Sequence, residues 1–568
     1  MRAFALPRPN RFDLLFVPLV LGLFALLAWG MREMTVPYMP GDSLHLSLDP
    51  WNLPEYALRT VLRMAGALVM SLVFTFTYGA LAAKSRRAEQ VLVPVLDVLQ
   101  SVPILGFLAV TVTGFMSLFP GSLFGVEMAS MFAIFTSQAW NMAFSFYQSL
   151  KTVPRDLAEA ACLLGLSSWQ RFWRLEVPFA MPGLVWNMMI SVSGGWFFVV
   201  ASEAIAVGTT EVRLPGVGSY VAEAIRQQDL AAIGYALVTM LLVILCYDQV
   251  FFRPLVDWSR KFKMEMEAEE EEEDSWLTRW LRRTRVFQSL WQALAHATRR
   301  VFLGRALPSR RPVLQAPGWM SRVIRVTFPV LLGLLAAIGL GQFYVFSIAE
   351  VGWGEAAHVL VLGALTLLRV AVLIILACVV WVPVGVFIGL RPRLASRVRP
   401  IAQFLAAFPA NLLFPVAVVA IERWDLNPEV FTAPLMILGT QWYILFNVIA
   451  GASAIPGDLR ETARSLSVRG PLLWKRLYLP TVMPYLVTGL IAASGGTWNA
   501  SIVAEVVSWG ETTLVATGLG SYIAVATQVG EISKVLLGVT VMSLYVVTVE
   551  RLLWRRLYRL AEARFSLA

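Results

Sequence analysis

Apolar runs of 18 to 35 residues, broken by short stretches carrying Arg, Lys, Asp, Glu or Pro, make up most of this chain. About 20 helical residues cross the hydrocarbon core of a bilayer, so runs of this length read as membrane spans. They fall near residues 12–30, 57–83, 93–119, 128–150, 180–206 and 231–254, and again near 322–348, 356–390, 400–421, 430–453, 481–508 and 533–550. Six plus six predicts an all-α polytopic membrane protein of about 12 transmembrane helices. The first run, Phe12 to Trp29, follows Arg2, Arg8 and Arg11 as a signal peptide would. No small-residue cleavage site follows it, so it is read as a retained span.

Composition supports this class. Of 568 residues, 58% are apolar and 15% charged, against roughly a quarter charged in soluble domains. A secreted, fibrous or disordered chain is excluded. The net charge of +10 comes from basic residues at the ends of apolar segments, where cytoplasmic retention places them, so the charge reports topology and no nucleic acid partner is expected. With the N-terminus inside, Lys84, Arg86, Arg87, Lys151, Arg155, Arg171, Arg174, Arg391, Arg393, Arg397, Arg399, Lys475 and Arg476 lie in cytoplasmic loops. Asp42, Asp49, Glu127, Glu422, Asp425 and Glu511 lie opposite. Both termini are then cytoplasmic. Cys162, Cys246 and Cys378, like His45, His296 and His358, are scattered, without disulfide or metal spacing. No phosphate loop or dinucleotide fingerprint is present, so the chain is expected to bind no cofactor and to have no nucleotide site of its own.

The two sets of spans are copies. Residues 154–220 align with 456–522 at a constant offset of 302, without gaps and with 22 identities in 67. The matches include Pro154/Pro456, Asp156/Asp458, Glu159/Glu461, Arg174/Arg476, Pro178/Pro480, Pro182/Pro484, Gly194/Gly496, Trp196/Trp498, Glu203/Glu505 and a shared Gly-x-Gly-Ser-Tyr at 216–220 and 518–522. Upstream, at an offset of 306, Thr60, Arg63, Gly79, Pro94 and Pro103 fall on Thr366, Arg369, Gly385, Pro400 and Pro409. Repeats of six spans each lie parallel, related by an axis along the membrane normal, with a pathway between them. The organisation is a first half over 1–256, a linker over 257–320 and a second half over 321–568. The linker opens with eight acids in ten positions, Glu265 to Asp274, a solvated tether. A basic stretch follows in which Trp276, Trp280, Phe287, Trp291 and Leu294 recur at helical spacing among Arg279, Arg282, Arg283 and Arg285. It reads either as a helix on anionic lipid headgroups or as one packed on the chain's own surface.

The loop after the fourth span of each half is the most informative segment: Pro154-Arg-Asp-Leu-Ala-Glu-Ala-Ala-Cys-Leu-Leu-Gly165 and Pro456-Gly-Asp-Leu-Arg-Glu-Thr-Ala-Arg-Ser-Leu-Ser467. Each reads as a short exposed helix. Pro presets the first turn, Asp156 and Asp458 suit the positive end of the dipole, and Leu157, Ala161 and Leu164 form a narrow apolar stripe. A second short helix follows, ending at Leu175-Glu-Val-Pro178 and Leu477-Tyr-Leu-Pro480. A water-facing helix with an apolar stripe, delivered twice to one membrane side, is built to dock.

At these residues the chain resembles the membrane-spanning subunits of bacterial ABC importers, whose signature is E-A-A, three residues, Gly, nine residues, then I-x-L-P. Glu159-Ala160-Ala161, Gly165 and Leu175-x-Val177-Pro178 fill it, and Glu461-Thr462-Ala463, Ser467 and Leu477-x-Leu479-Pro480 offer a second copy. Thr462 and Ser467 depart from the pattern, which predicts a different turn or weaker docking for the second loop. Thr60-x-x-Arg63, Ser101-Val-Pro103, Ala504-Glu505, Thr366-x-x-Arg369, Phe408-Pro409 and Gly518-x-Gly-Ser-Tyr522 resemble the nitrate, sulfonate, taurine and bicarbonate group. The resemblance implies two tandem type I importer domains fused in one chain. It also implies two cytoplasmic ATPase subunits, which bind the ATP and Mg, docked at the two E-A-A helices, and a periplasmic or lipid-anchored binding protein that delivers substrate. The substrate class is then a small anion such as nitrate, bicarbonate or a sulfonate. Fused permeases for ferric iron or thiamine are the alternative within importers. The chain itself is expected not to be an enzyme.

Charged residues inside spans are functional candidates, since burying them in hydrocarbon is costly. Arg63 and Arg369 start the second spans, and Glu203 and Glu505 end the fifth spans, roughly 30 Å beyond Pro182 and Pro484 at 1.5 Å per residue. They read either as structural ion pairs or as an outer gate in which Arg63 pairs with Glu505 or with Glu203. Trp196 and Trp498, beside Gly194-Gly195 and Gly495-Gly496, are candidates for an aromatic constriction in the path. Two other classes place different demands on a sequence. An ion-coupled carrier needs ionisable residues near the bilayer midplane, and a membrane-embedded enzyme needs clustered His, Asp or Cys. The sequence offers few of the first and none of the second.

Overall fold

The structure, a computed structural model, describes residues 10–37, 46–100, 102–207, 210–262, 275–284 and 349–565, with scattered positions between 288 and 345. Most of the expected span at 322–348, the acidic run and most of the basic stretch lie outside the described residues. Among the described residues, six continuous helices are long and apolar enough to cross a membrane: Pro50–Lys84, Ser168–Glu203, Leu230–Arg260, Trp353–Gly389, Gly470–Ala504 and Ile532–Ala561. These are the second, fifth and sixth spans of each half. The expected first span is the helix Arg11–Glu33.

The third spans are not continuous, contrary to the sequence reading. In the first half Arg86–Leu99 gives way to a turn around Pro103 before Leu108–Leu118. In the second, Pro392–Ala407 and Ala410–Arg423 meet at 76° at Pro409. Proline has no N–H to donate and its ring clashes with the preceding turn, so the matched Pro103 and Pro409 end one helix and start another. The fourth span is unbroken in the first half, Phe124–Lys151. It bends by 44° in the second between Pro428–Ile437 and Gln441–Ser453, where Gly439 stands in place of Ser137.

The fourth span is the central helix of each half, packed between the second and fifth spans. Its buried stripe in the first half includes Gly125, Ala129, Ala133, Ala139 and Ala143. Small side chains let helix backbones approach where lipid removes the hydrophobic drive between helices. The segments before Pro178 and Pro480 are not separate helices, as the sequence reading had them. Each runs without a break into the fifth span through one wide π-type turn, Phe172–Glu176 and Trp474–Tyr478. The wider turn absorbs the hydrogen bond that proline cannot make.

The fifth spans end earlier than expected, at Glu203 and Ala504, and each chain turns into an antiparallel hairpin. Ala204–Val207 pairs with Thr210–Arg213, and Val506–Trp509 with Thr512–Val515. Each hairpin leads to a short helix, Val217–Arg226 or Leu519–Val529, before the sixth span. These elements lie at the end opposite the loop helices. The loop-helix side is called the near face below, and the hairpin side the far face. Helix Trp276–Arg283 of the linker packs on the chain itself: Asp257 accepts hydrogen bonds from Ser275 N and Thr278 Oγ1, both at 2.8 Å.

Candidate functional site

The charged residues that the sequence placed in the spans come together at the far face, one cluster within each half. In the first, Arg63 Nη1 donates to Glu203 Oε1 at 2.7 Å, while Nε and Nη2 grip both oxygens of Glu127 at 2.6 and 2.8 Å. Nη2 also donates to the Pro215 carbonyl at 2.9 Å, and Thr60 Oγ1 donates to Glu203 Oε1 at 2.6 Å. Gly218 N closes on Glu203 Oε2 at 2.6 Å. The side chains of Arg63, Glu127 and Glu203 are wholly buried. A planar guanidinium that serves two carboxylates in this way is a fork no lysine reproduces.

The second half repeats the cluster. Arg369 pairs with Glu505 and Glu429 and donates to the Thr517 carbonyl at 2.8 Å. Thr366 donates to Glu505 at 2.9 Å. This copy is more open, with 17% of the Arg369 and 43% of the Glu429 side chain exposed. Of the pairings expected from sequence, Arg63 with Glu203 is present. Arg63 with Glu505 is not, because each arginine is held by acids of its own half. Glu127 and Glu429 went unnoticed as site residues. The signal was available, since they too are separated by 302 positions.

The shared Gly-x-Gly-Ser-Tyr segments are glycine-bearing for a steric reason. A Cβ on Gly216 or Gly518 would collide with the glutamate carboxyl group, and one on Gly218 with the Val200 carbonyl oxygen. The short far-face helix can clamp the buried glutamate only if nothing protrudes there.

The fifth span of each half packs against the broken third span of the other, and that of the first half also against the fourth span of the second. Asn499 Oδ1 accepts a 2.8 Å bond from Ile104 N, at the break of the first half's third span, and Asn411 Nδ2 donates to the Phe197 carbonyl at 3.4 Å. Position 499 is 197 plus 302 and position 411 is 105 plus 306, so the two contacts fall at matching places but are made differently. Each satisfies a backbone group at the interface, and both asparagines belong to the second half. Nearby, Gly194 faces the Tyr443 hydroxyl, and Trp186 stacks on Phe446 at 5.8 Å. At the far face, Gly510 N donates to the Ile225 carbonyl at 2.9 Å across the halves. Trp196 and Trp498 instead pack on the sixth span of their own halves, against Tyr247 and Tyr545. The fifth spans differ in side-chain size at matched positions: Trp186 corresponds to Thr488, Ile190 to Ala492, Ser193 to Gly495 and Phe197 to Asn499.

On the near face the loop helices are Arg155–Leu163 and Gly457–Ser465. Asp156, Glu159 and Ala160 are exposed, as are Asp458 and Glu461, whereas Ala161 is buried and Ala463 half-buried. The apolar stripe therefore divides. Ala161 turns onto the chain's own bundle, and Leu163 and Leu164 stand 89% and 76% exposed. Pro178 and Pro480 are half-buried, at the start of the fifth spans. Both loops end alike, against the expectation of a different second turn. Gly165 has φ of 67° and Ser467 has φ of 54°. Leu166 N bonds to Ala161 O, and Val468 N to Ala463 O. Ser467 adopts the left-handed conformation in spite of its Cβ.

A duplicated helical membrane unit with paired near-face loops is the architecture of a transport permease. The chain belongs to the family described as binding-protein-dependent transport system inner membrane component, which matches twice, over residues 75–251 and 381–566. It is 31% identical over 174 residues to the bicarbonate transport system permease protein CmpB of Synechococcus elongatus, covering 31% of this chain and 59% of that protein. It is 29% identical over 181 residues to the nitrate import permease protein NrtB of Leptolyngbya laminosa, covering 32% and 61%. It is 27% identical over 234 residues to the glycine betaine/proline betaine transport system permease protein ProW of Escherichia coli, covering 40% and 60%. The matched stretches thus span about three fifths of each relative.

Proposed function

We propose that this chain is the complete transmembrane pathway of an ATP-driven importer for a small anion of the nitrate or bicarbonate class, energised by ATPase subunits on the near face. The near face is then cytoplasmic, with both termini on that side. The observation that carries this reading is the pair of exposed loop helices, 302 residues apart, with the same acidic first turn and the same left-handed cap. Each offers Glu159 or Glu461 and two exposed leucines, Leu163 and Leu164 or Leu459 and Leu466, to a cleft on an ATPase. The far-face contact between Gly510 and Ile225 fits a resting state closed to the outside. The path runs between the halves, where Thr488, Gly495 and Asn499 of the second half's fifth span and Tyr443 of its fourth supply a polar wall without fixed charge. Such a wall passes an anion without trapping it.

The test is ATP hydrolysis by the chain reconstituted with its ATPases and loaded binding protein. Replacing Glu159 and Glu461 together by Lys abolishes substrate-stimulated hydrolysis while leaving the fold and far-face binding unchanged. Unaltered stimulation refutes the coupling assignment. Accumulation of solute by the isolated chain under a proton or sodium gradient refutes the importer reading as a whole.

A further inference from the structure

Two hydrogen bonds join the halves deep in the protein, and in both the side chain belongs to the second half and the main chain to the first. Phe197 and Asn499 stand 20 residues into the fifth spans, Val177–Glu203 and Leu479–Ala504, or roughly 30 Å from the near-face ends at 1.5 Å per residue. The counterparts of Asn411 and Asn499 are Leu105 and Phe197, whose side chains carry no polar group. Only the second half has side chains that can grip here. Trp186 lies on the same face of its helix as Phe197, about three turns nearer the near face. It too touches the second half, but it is 44% exposed. The two bonds thus close the space between the halves toward the far face and leave it more open toward the near face.

The two asparagines are unequally served. Asn499 uses both ends of its amide: Oδ1 accepts from Ile104 N at 2.8 Å, and Nδ2 donates to the Gly495 carbonyl at 3.2 Å. Ile104 is buried and follows the helix break at Pro103, so its N–H has no helical partner and depends on Asn499. Asn411 reaches the Phe197 carbonyl only at 3.4 Å, and its own Oδ1 is buried with no hydrogen-bond donor among the described residues. A paired buried group stabilises the arrangement that pairs it, and an unpaired one is costly until it finds a donor. The Asn499 contact therefore favours closure, and Asn411 opposes it.

We propose that Asn499 and Asn411 form a two-part latch at the far end of the pathway. Asn499 holds the resting state closed. Asn411 keeps that state shallow, because its carbonyl gains water as a donor once the halves part. The first half contributes only main chain, so the latch is worked from the second half alone. Two states set close in free energy are what the binding of a partner can switch. The inference rests on the permease reading for the pathway that the latch closes.

The test is far-side access to Ser193→Cys, one helical turn below Phe197 on the same face, in a chain whose Cys162, Cys246 and Cys378 are replaced by Ala. The full chain is placed in lipid vesicles with its far face outward and treated with a membrane-impermeant maleimide. Labelling is expected about fivefold faster in Asn499→Ala, which corresponds to one hydrogen bond of about 1 kcal/mol at 1.4 kcal/mol per tenfold. It is expected several-fold slower in Asn411→Leu, which takes the residue of the first half and removes the unpaired carbonyl. The double variant should fall between the two. Labelling from the near face, in vesicles of the opposite orientation, should not rise in either. No change in the single variants, a change of the same sign in both, or an equal rise from both faces, the mark of a loosened bundle, overturns the proposal. The labelling needs no ATPase, so substrate-stimulated ATP hydrolysis by the unsubstituted assembled transporter tests the permease reading separately.

Discussion

Replacing Arg63 with Ala should cost far more than replacing its counterpart Arg369, although the two occupy matched positions and bond to matched acids. Without Arg63, Glu127 and Glu203 face each other with no counterion and no water, since all three side chains are fully buried. Breaking such a pair by removing one partner costs roughly 3–5 kcal/mol. Around Arg369, Glu429 is 43% exposed and can rehydrate, so its share is that of a surface pair, about 0–1 kcal/mol. Glu505 stays buried and keeps the Thr366 hydroxyl and Ser521 N as donors, as Glu203 keeps the Thr60 hydroxyl and Gly218 N, so the difference between the sites comes from Glu127, which cannot reach water, against Glu429, which can. Unfolding in nanodiscs, followed by tryptophan fluorescence, should therefore rank wild type above Arg369→Ala and Arg369→Ala well above Arg63→Ala. Arg63→Lys should recover little, because an ammonium cannot grip both oxygens of Glu127 while reaching Glu203. Replacing Arg63, Glu127 and Glu203 together by apolar residues of similar volume should restore much of the loss. Equal losses at the two arginines would show that burial does not set the cost, and the reasoning would fail.

Ser467→Gly should stabilise the second loop by about 1 kcal/mol, because a side chain in the left-handed region is penalised by that order; a rise in loop protection from hydrogen exchange measures it, and Gly165→Ser should show the opposite. Asn499→Ala leaves the Ile104 amide unpaired at the interface between halves, so exchange at residues 102–107 should accelerate by the loss of about 1–3 kcal/mol. Exchange as slow as in the wild type would mean that the contact does not form. Glu223, at the far face, is held below the usual carboxylate range by hydrogen bonds from Arg226 and Gln227 and the charges of Arg226 and Arg213. A depressed carboxyl contributes stability that is present above its unfolded value near 4.3 and is lost as pH falls through the folded one. The segment 213–229 should thus loosen as pH drops below about 4, and Glu223→Gln should remove that dependence.

How far the sequence reaches can be judged residue by residue. The apolar runs and the 302-residue offset make the spans, the duplication and the loop helices legible, because crossing a bilayer and binding outside it are demands on local composition. The Arg63 and Glu203 pairing was legible as one of two options, since charges buried in hydrocarbon must find partners. The partner Glu127, 64 positions from Arg63, was not: nothing local says which acid a packed helix will turn inward. Pro103 and Pro409 were visible as motif residues, but whether a proline kinks a span or breaks it depends on what satisfies the freed backbone groups. Here Asn499 on the opposite half does so for Ile104. Likewise Tyr220 and Tyr522 stand in the same Gly-x-Gly-Ser-Tyr motif, and only the path of a distant stretch decides that the Tyr220 hydroxyl donates to the Leu48 carbonyl at 2.8 Å. Hydrophobicity and repeat spacing are properties of neighbouring residues and survive without a fold. The choice among buried partners, and what covers an exposed end, are settled by residues brought together from far along the chain, and so exist only once it has folded.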